Sequence, residues 1–362
     1  MNRRTTTTLA VLLSAGLLAG CGSEGEEELP TPNAEAPSDA GGPSLDQETL
    51  EAVLEGVATS VADADEAQDP ELLRERVMGP AFRLRSAEYR IAEATGGTVQ
   101  PDPLSLDTQV DIVGGSQEYP RVAMAVSQIP DGSNLPLLLT LATSDVRDNY
   151  RLWSWVELFP GVTVPETLAP DIGAEAVPTD DDSLVLSPAE VVDAYAQLIS
   201  DPEGSQAERF GPDEFRSDVF AETAGLNEAV SAAGTATVSA EPVIDGPLSL
   251  QTVEGGAIVV GVIRTTTTVT KTEPEGTLTV GGVFGDLLGD DGVVEDEVSA
   301  IAQVSVAFHV PSAEAEDQTI EVLGATSVLT EAISSGQSVV ESPSGGSESA
   351  SESASESATD AG

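Results

Sequence analysis

The chain has 362 residues, with 14 basic and 63 acidic side chains and a formal net charge of −49 at pH 7. Nucleic-acid binding depends on basic side chains that neutralise phosphates, so this composition excludes nucleic acid as a partner. Hydrophobic residues make up 40% of the chain, which is enough for packed domains, and the length suggests about two of them.

The N-terminal residues have the pattern of a secretory signal peptide. Two arginines come first, and an apolar run over residues 9–18 follows. That run is too short to span a bilayer as a helix, which takes about 20 apolar residues. It ends in Leu18-Ala19-Gly20-Cys21, which resembles the lipobox of bacterial lipoproteins. The resemblance implies that residues 1–20 are a lipoprotein signal peptide and that a diacylglycerol is attached to the Cys21 thiol.

Cys21 is the single cysteine of the chain, so it has no disulfide partner there. We therefore expect a lipoprotein anchored through Cys21 to the extracytoplasmic face of the cell membrane. An ordinary signal peptide followed by a chance cysteine is the alternative. The composition, rich in Ala, Val, Gly and acidic residues with one lysine, resembles that of secreted proteins from GC-rich actinobacteria.

Residues 21–44 are mostly small, polar or acidic and predict a disordered tether. Residues 45–165 predict a first α+β domain. Its first helix has apolar residues at helical spacing, namely Leu50, Val53, Leu54, Val57 and Val61. Asp69-Pro70 begins a second helix, Gly79-Pro80 interrupts it, and Gly96-Gly97 ends it. Runs that favour strands follow at residues 106–113, 121–129, 135–143 and 150–158.

Residues 166–186, rich in Pro, Ala and Asp, predict a linker. Residues 187–335 predict a second α+β domain that begins with the capping-box sequence Ser187-Pro188-Ala189-Glu190. We expect a second helix over residues 213–233. Strands are expected at residues 236–243, 248–253, 257–271, 277–284, 300–310 and 319–323. Residues 336–362 are rich in Ser and Glu and predict a disordered tail.

The two halves share a sequence pattern. Asp69-Pro70-Glu71 precedes Gly79-Pro80, and Asp201-Pro202-Glu203 precedes Gly211-Pro212 at the same spacing. The tetrapeptide at residues 103–106 recurs at residues 247–250. We therefore predict an α+β fold of two tandem repeats, each with N-terminal helices packed on a curved antiparallel sheet. Two unrelated α+β units with similar caps and turns are the alternative.

This arrangement resembles the nuclear-transport-factor-two-like and cystatin-like α+β folds, and the chain as a whole resembles uncharacterised actinobacterial lipoproteins. The resemblance rests on the order of helices and strands, so it implies no catalytic residues. A rival architecture is the half-barrel of lipid-carrying actinobacterial lipoproteins, in which one large sheet wraps around helices.

Side chains that carry catalysis or hold metals are scarce. The single histidine, His309, lies in a strand-like segment, and Cys21 is committed to lipid. Charge-relay hydrolysis needs a histidine beside a nucleophile, and histidine metal sites need more than one histidine. The glycines at residues 281–285 lack the lysine of a phosphate-binding loop, and the acidic residues at 286–297 do not follow the order of an EF-hand calcium loop. We therefore expect no enzyme activity, no catalytic residue, no metal site and no cofactor. An enzyme that uses carboxylates and arginine alone is the remaining alternative.

Two groups of side chains are candidates for ligand binding. Trp153 and Trp155 lie in a strand that is apolar on both faces, and alternation places both on one face. There they form either the walls of a pocket or the contact between the repeats. Arg83, Arg90 and Arg151 belong to a cluster of arginines in the first half, which forms either an anion site or ion pairs within the chain.

These patterns favour a non-enzymatic binding or interaction module whose partner is an unknown envelope protein or small ligand. The alternative function is a carrier of a lipid or other hydrophobic ligand, in a cavity of the first domain near the two tryptophans. The membrane is contacted through the lipid on Cys21, because an anionic bilayer repels so acidic a body.

Overall fold

The computed structural model of the protein describes residues 42–115, 119–288 and 292–335. The predictions for the signal peptide, for Cys21, for most of the tether and for the tail concern residues outside these ranges. The described residues all belong to one compact unit, and no helix among them is long and apolar enough to cross a membrane. The division of the body into two domains stays a prediction.

The first half begins with two helices whose ends follow from the sequence. Helix α1 spans Gln47–Ala67, and the Asp46 side chain caps it by accepting a hydrogen bond from the Thr49 amide at 2.8 Å. A 3-10 turn at Pro70–Leu73 leads to α2, Gly79–Ala94. The apolar face predicted for α1 is confirmed, because all five of its residues are buried: Leu50, Val53, Leu54, Val57 and Val61.

Four antiparallel strands follow and form the first sheet in the order β1-β2-β3-β4. They are β1 (Thr108–Val113), β2 (Arg121–Ser127), β3 (Leu137–Thr143) and β4 (Arg151–Glu157). Strands β2, β3 and β4 are buried along almost their whole length. The reason is that α1 and α2 cover one face of the sheet and the second half of the chain covers the other.

The second half also places helices before antiparallel strands. Helix α3 spans Pro188–Ser200 and has the predicted capping box, in which Ser187 and Glu190 exchange hydrogen bonds; α4 spans Glu214–Val230. The later elements are β5 (Gly234–Pro242), β6 (Leu248–Gln251), β7 (Ala257–Lys271), β8 (Leu278–Thr279), α5 (Gly282–Leu288), β9 (Val293–Val294), β10 (Glu297–Val310) and β11 (Glu321–Ser334). The second sheet has the order β11-β10-β7-β5, and β6 also pairs with β7.

Three expectations for these elements are corrected. The strand expected over residues 277–284 is wrong beyond Thr279, because Gly282 has a φ of +65° and begins α5, whose Leu288 joins a small apolar cluster. Strand β11 continues past residue 323 to Ser334, because its whole length pairs with β10. The recurring tetrapeptides do not occupy matching positions, since residues 103–106 precede β1 whereas residues 248–250 lie in β6.

The two sheets lie face to face with an apolar layer between them. This layer contains Met124 and Leu138 of the first sheet and Val260 and Ala307 of the second, all fully buried. Helices α1 and α2 pack on the outer face of the first sheet, and α3 packs on the outer face of the second. The described chain therefore has four layers, and the predicted α+β class is confirmed.

Along one edge the two sheets meet directly. Leu158, just after β4, and Gly324 of β11 form a β-bridge. The Phe159 amide donates a hydrogen bond to the Leu323 carbonyl at 2.9 Å. These contacts close the sandwich on this side.

Along the other edge the segment at residues 160–186 lies between the sheets. Its Ala174 amide donates to the Val113 carbonyl of β1 at 2.8 Å. The Gln251 amide of β6 donates to the Glu175 carbonyl of the segment, also at 2.8 Å. The segment predicted as a linker is therefore hydrogen-bonded to both sheets.

Candidate functional site

The two tryptophans pack on opposite faces of the first sheet. Leu152 and Ser154 of β4 pair with neighbouring residues of β3, so Trp153 between them has no partner and forms a β-bulge. Trp153 packs in the layer between the sheets, and Trp155 packs in the core beneath α1 and α2. The prediction that alternation places both on one face is wrong, because a bulge inserts one residue and shifts the alternation.

Trp153 contacts both halves of the chain. A Cβ atom on Gly79 would lie 3.1 Å from its ring, and a Cβ atom on Gly246 would lie 2.8 Å from it. Trp153 is 5% exposed and Trp155 is 4% exposed. The sequence left two roles open for these tryptophans, a pocket wall or a contact between the halves. In the structure Trp153 contacts both halves, and Trp155 is a core residue of the first half.

Two of the three candidate arginines contact the second half. The Arg83 guanidinium lies 2.6 Å from a carboxylate oxygen of Asp245 and donates to the side-chain oxygen of Gln303 at 2.7 Å. Arg90 donates to the Thr330 carbonyl at 3.0 Å. Both side chains therefore connect α2 to the second half of the chain, which favours pairing within the chain over an anion site.

The third candidate, Arg151, is half-buried at the start of β4. It pairs through its backbone with Ala142 of β3. Ligand binding by Arg83, Arg90, Arg151 and the two tryptophans stays a prediction.

A buried charge network lies between α1 and α2. The Arg85 side chain, 3% exposed, donates to the two carboxylate oxygens of Asp65 at 2.9 and 2.5 Å, to Glu88 at 2.7 Å and to the Asp102 carbonyl at 2.7 Å. The Tyr89 hydroxyl donates to Asp65 at 2.6 Å. Burial by itself lowers the pKa of Arg85, but the hydrogen bonds and charges of Asp65 and Glu88 raise it above its ordinary value. Burial raises the pKa of Glu88 although Arg85 opposes the rise. The network joins the two helices.

An open groove of about 570 Å³ lies between one end of the first sheet and the segment that connects the two halves. We call it the linker groove; its lining consists of residues 109–112, Val126, Pro136, Leu158 and residues 162–170. Ile112, Val126 and Leu158 also belong to the apolar layer between the sheets. Its volume is in the range of small-molecule sites, about 300–1,000 Å³. Neither tryptophan lines it.

A second groove of about 520 Å³ lies beside α1. Its lining consists of Ala58, Val61, Ala62, Asp65, residues 103–107 and residues 128–131. The Asp65 carboxylate already accepts hydrogen bonds from Arg85 and Tyr89. Because its α1 carboxylate is engaged in this way, we regard the linker groove as the stronger candidate site.

The groups considered for catalysis or metal binding lie apart. His309 is on β10, with Nδ1 3.9 Å from a carboxylate oxygen of Glu321. Within the described ranges, no three or more His, Cys, Asp or Glu side chains are placed to hold a metal ion. Sequence reasoning missed the linker groove, because residues 162–170 read as part of a connection; their only signal was the apolar side chains of Val162, Val164 and Leu168.

Over residues 43–334 the chain matches the model of a family described as a domain of unknown function, DUF8094. No curated protein matches the chain, and no solved structure matches it.

Proposed function

The chain belongs to this family of domains of unknown function, and we propose that the protein is a non-enzymatic binding module anchored by lipid at the extracytoplasmic face of the cell membrane. The observation that supports binding is the linker groove, whose floor is made of core residues and whose mouth is open. At the mouth Val110 is 49% exposed and Leu168 is 42% exposed. A molecule bound there would remove these two apolar side chains from water, which is favourable.

The anchor is inferred from the lipobox-like sequence that ends at Cys21, and a bacterial, actinobacterial origin is part of the same proposal. Replacing Cys21 with serine removes the thiol that would carry the lipid, so we expect Cys21→Ser to lose membrane retention. Cell fractionation of the variant and the wild type measures this. A variant that stays with the membranes like the wild type would contradict lipid anchoring.

A carrier of a lipid or other hydrophobic ligand is the second candidate function. The apolar floor of the linker groove favours it, although the groove lies at one end of the first sheet and not at Trp153 and Trp155. Native mass spectrometry of the protein purified from its own host separates the two candidates. A defined extra mass that is lost on denaturation supports a bound small molecule. A measured mass equal to that of the protein alone favours an envelope protein as partner. Crosslinking in cells would identify that partner.

We also propose that the two halves arose by duplication of a unit similar to the nuclear-transport-factor-two-like or cystatin-like folds. Each half has two helices followed by an antiparallel meander. In each half the segment before the second helix forms a parallel bridge at the last strand, Val77 with Leu152 and Phe210 with Ile320. Superposing the two halves tests this: equivalent strands should follow the same path, and different paths would contradict duplication.

A further inference from the structure

We infer that the linker groove binds a single alkyl chain that carries a cationic head group. The inference rests on the proposed function, because it assigns a class of ligand to the groove on which that function depends.

The groove lies directly on the core, and its lining contains polar as well as apolar side chains. Its floor is formed by Ile112, Val126 and Leu158, which are 2%, 6% and 3% exposed. Val110 and Leu168 stand at its mouth, each more than two-fifths exposed. An alkyl chain that runs from the mouth to the floor removes these two side chains and its own methylenes from water, which is favourable for apolar surface.

Residues 162–170 form the outer wall of the groove. This wall is held in place, but it does not close the groove. Pro165 and Pro170 lack an amide hydrogen, so they cannot donate to the open edge of β1. The wall is tied instead to the turn that follows β6, because the Val253 amide donates to the Glu166 carbonyl at 2.9 Å. Strand pairing therefore does not fill the space between the floor and this part of the wall.

The charges at the groove determine which head group fits. Its lining, all of it in the described part of the chain, includes Asp111 and Glu166 and no basic residue. At physiological salt these charges act over about 8 Å, so they repel an anionic head group and attract a cationic one.

The course of the N-terminal segment favours an amphiphile from the bilayer over a protein partner. The Ser44 amide donates to the Gly114 carbonyl at 2.8 Å, so the chain arrives directly after the strand that lines the groove. Cys21 lies 21 residues before Gly42, a distance of at most about 75 Å when fully extended. The lipid that we propose on Cys21 would therefore keep Gly42 within that distance of a membrane, which is a source of alkyl chains.

The test uses the mature chain, residues 21–362, with Cys21→Ser so that no attached lipid competes for the groove. Calorimetry measures the binding of dodecyltrimethylammonium and of dodecanoate, both below their micellar concentrations. The two probes share a tail and differ in head-group charge. We expect one dodecyltrimethylammonium per chain, bound at least about tenfold more tightly than dodecanoate, and no binding of tetramethylammonium, which lacks the tail.

Two tryptophan variants show where the amphiphile binds. Leu168→Trp fills the mouth of the groove, whereas Val146→Trp adds the same ring at a site that is 75% exposed and outside the groove. Both positions are at the surface, so both variants should keep the unfolding temperature of the parent chain. We expect Leu168→Trp to weaken dodecyltrimethylammonium binding at least about tenfold and Val146→Trp to leave it unchanged.

Equal binding by the two variants, many amphiphiles per chain, or dodecanoate bound as tightly as the cation would overturn the inference. Native mass spectrometry then shows whether the proposed function fails with it. A different small molecule on the protein from its host would leave the binding role standing, whereas a bare mass together with no crosslinked partner would remove both.

Discussion

Two Arg–Glu pairs at the same sequence spacing allow a test of what burial does to an ion pair. Arg85 and Glu88 have side chains that are 4% and 7% exposed, whereas those of Arg74 and Glu71 are 60% and 64% exposed. The N···O distance is 2.7 Å in both pairs. Arg85→Met leaves Glu88 buried without its partner, so we expect the free energy of unfolding to fall by about 3–5 kcal/mol.

The loss should depend on pH, and its sign follows from Glu88. Burial raises the pKa of Glu88 above its ordinary value of 4.5, and Arg85 opposes the rise. A carboxyl group whose pKa is higher in the folded state adds stability below its unfolded pKa and loses it as the pH rises through its folded pKa. Without Arg85 the pKa of Glu88 rises further. The deficit of Arg85→Met should therefore be largest near neutral pH and smaller near pH 4.5.

Urea unfolding followed by circular dichroism, near neutral pH and near pH 4.5, measures both effects. Arg74→Met is the matched control, and its effect should be far smaller because water already solvates both partners of that pair. Adding Glu88→Gln to Arg85→Met should restore part of the stability, since the buried charge is then absent. Equal losses in the two arginine variants, or a deficit of Arg85→Met that grows as the pH falls, would refute the reasoning.

Two further predictions concern the contacts of buried aromatic rings. Tyr195→Phe should destabilise the protein by about 1–3 kcal/mol, because the buried hydroxyl donates to Asp213 at 2.9 Å and burial already raises the pKa of that carboxyl; an unchanged thermal midpoint would contradict this. Gly246→Ala should lower the free energy of unfolding more than Gly255→Ala. The backbone strain is similar, because φ is +86° at Gly246 and +82° at Gly255. The new Cβ atom, however, would lie 2.8 Å from the Trp153 ring at Gly246, whereas at Gly255 its nearest neighbour would be 3.9 Å away. Chemical denaturation of the two variants measures the difference, and equal costs would show that the ring moves aside.

Features set by residues close together in the chain, such as helix caps and apolar helix faces, can be predicted from the sequence. Features that depend on how strands pair cannot be predicted in this way. The capping box at Ser187 and the apolar face of α1 are set by residues three or four apart, so their patterns predict the observed helices. The bulge at Trp153 arises from the register of β4 on β3. Nothing in the sequence of β4 alone indicates that its alternation shifts there.

The contacts of the candidate site residues could not be predicted either, because they join residues that are far apart in the chain. Composition predicts that arginines in so acidic a chain find partners. However, these partners are remote in the chain. Arg83 contacts Asp245 and Gln303, and Arg90 donates to the Thr330 carbonyl; Gln303 and Thr330 lie 220 and 240 residues further along. The linker groove likewise joins β1 to residues 162–170, and no local pattern reports that these segments lie side by side.

The linker groove follows from the unequal ways in which the two sheets meet. On the β4 side Gly324 lets two backbones approach closely, since a Cβ atom there would lie 2.8 Å from the Leu158 Cα, and this edge is sealed. From Leu158 a segment that contains prolines continues to β1, and the linker groove lies between this segment and the end of the first sheet. A floor residue such as Ile112 therefore serves the core and the groove together, so its substitution alters stability and binding at once. Leu168 lines the groove at the surface, and for this reason substitutions at the mouth separate binding from folding.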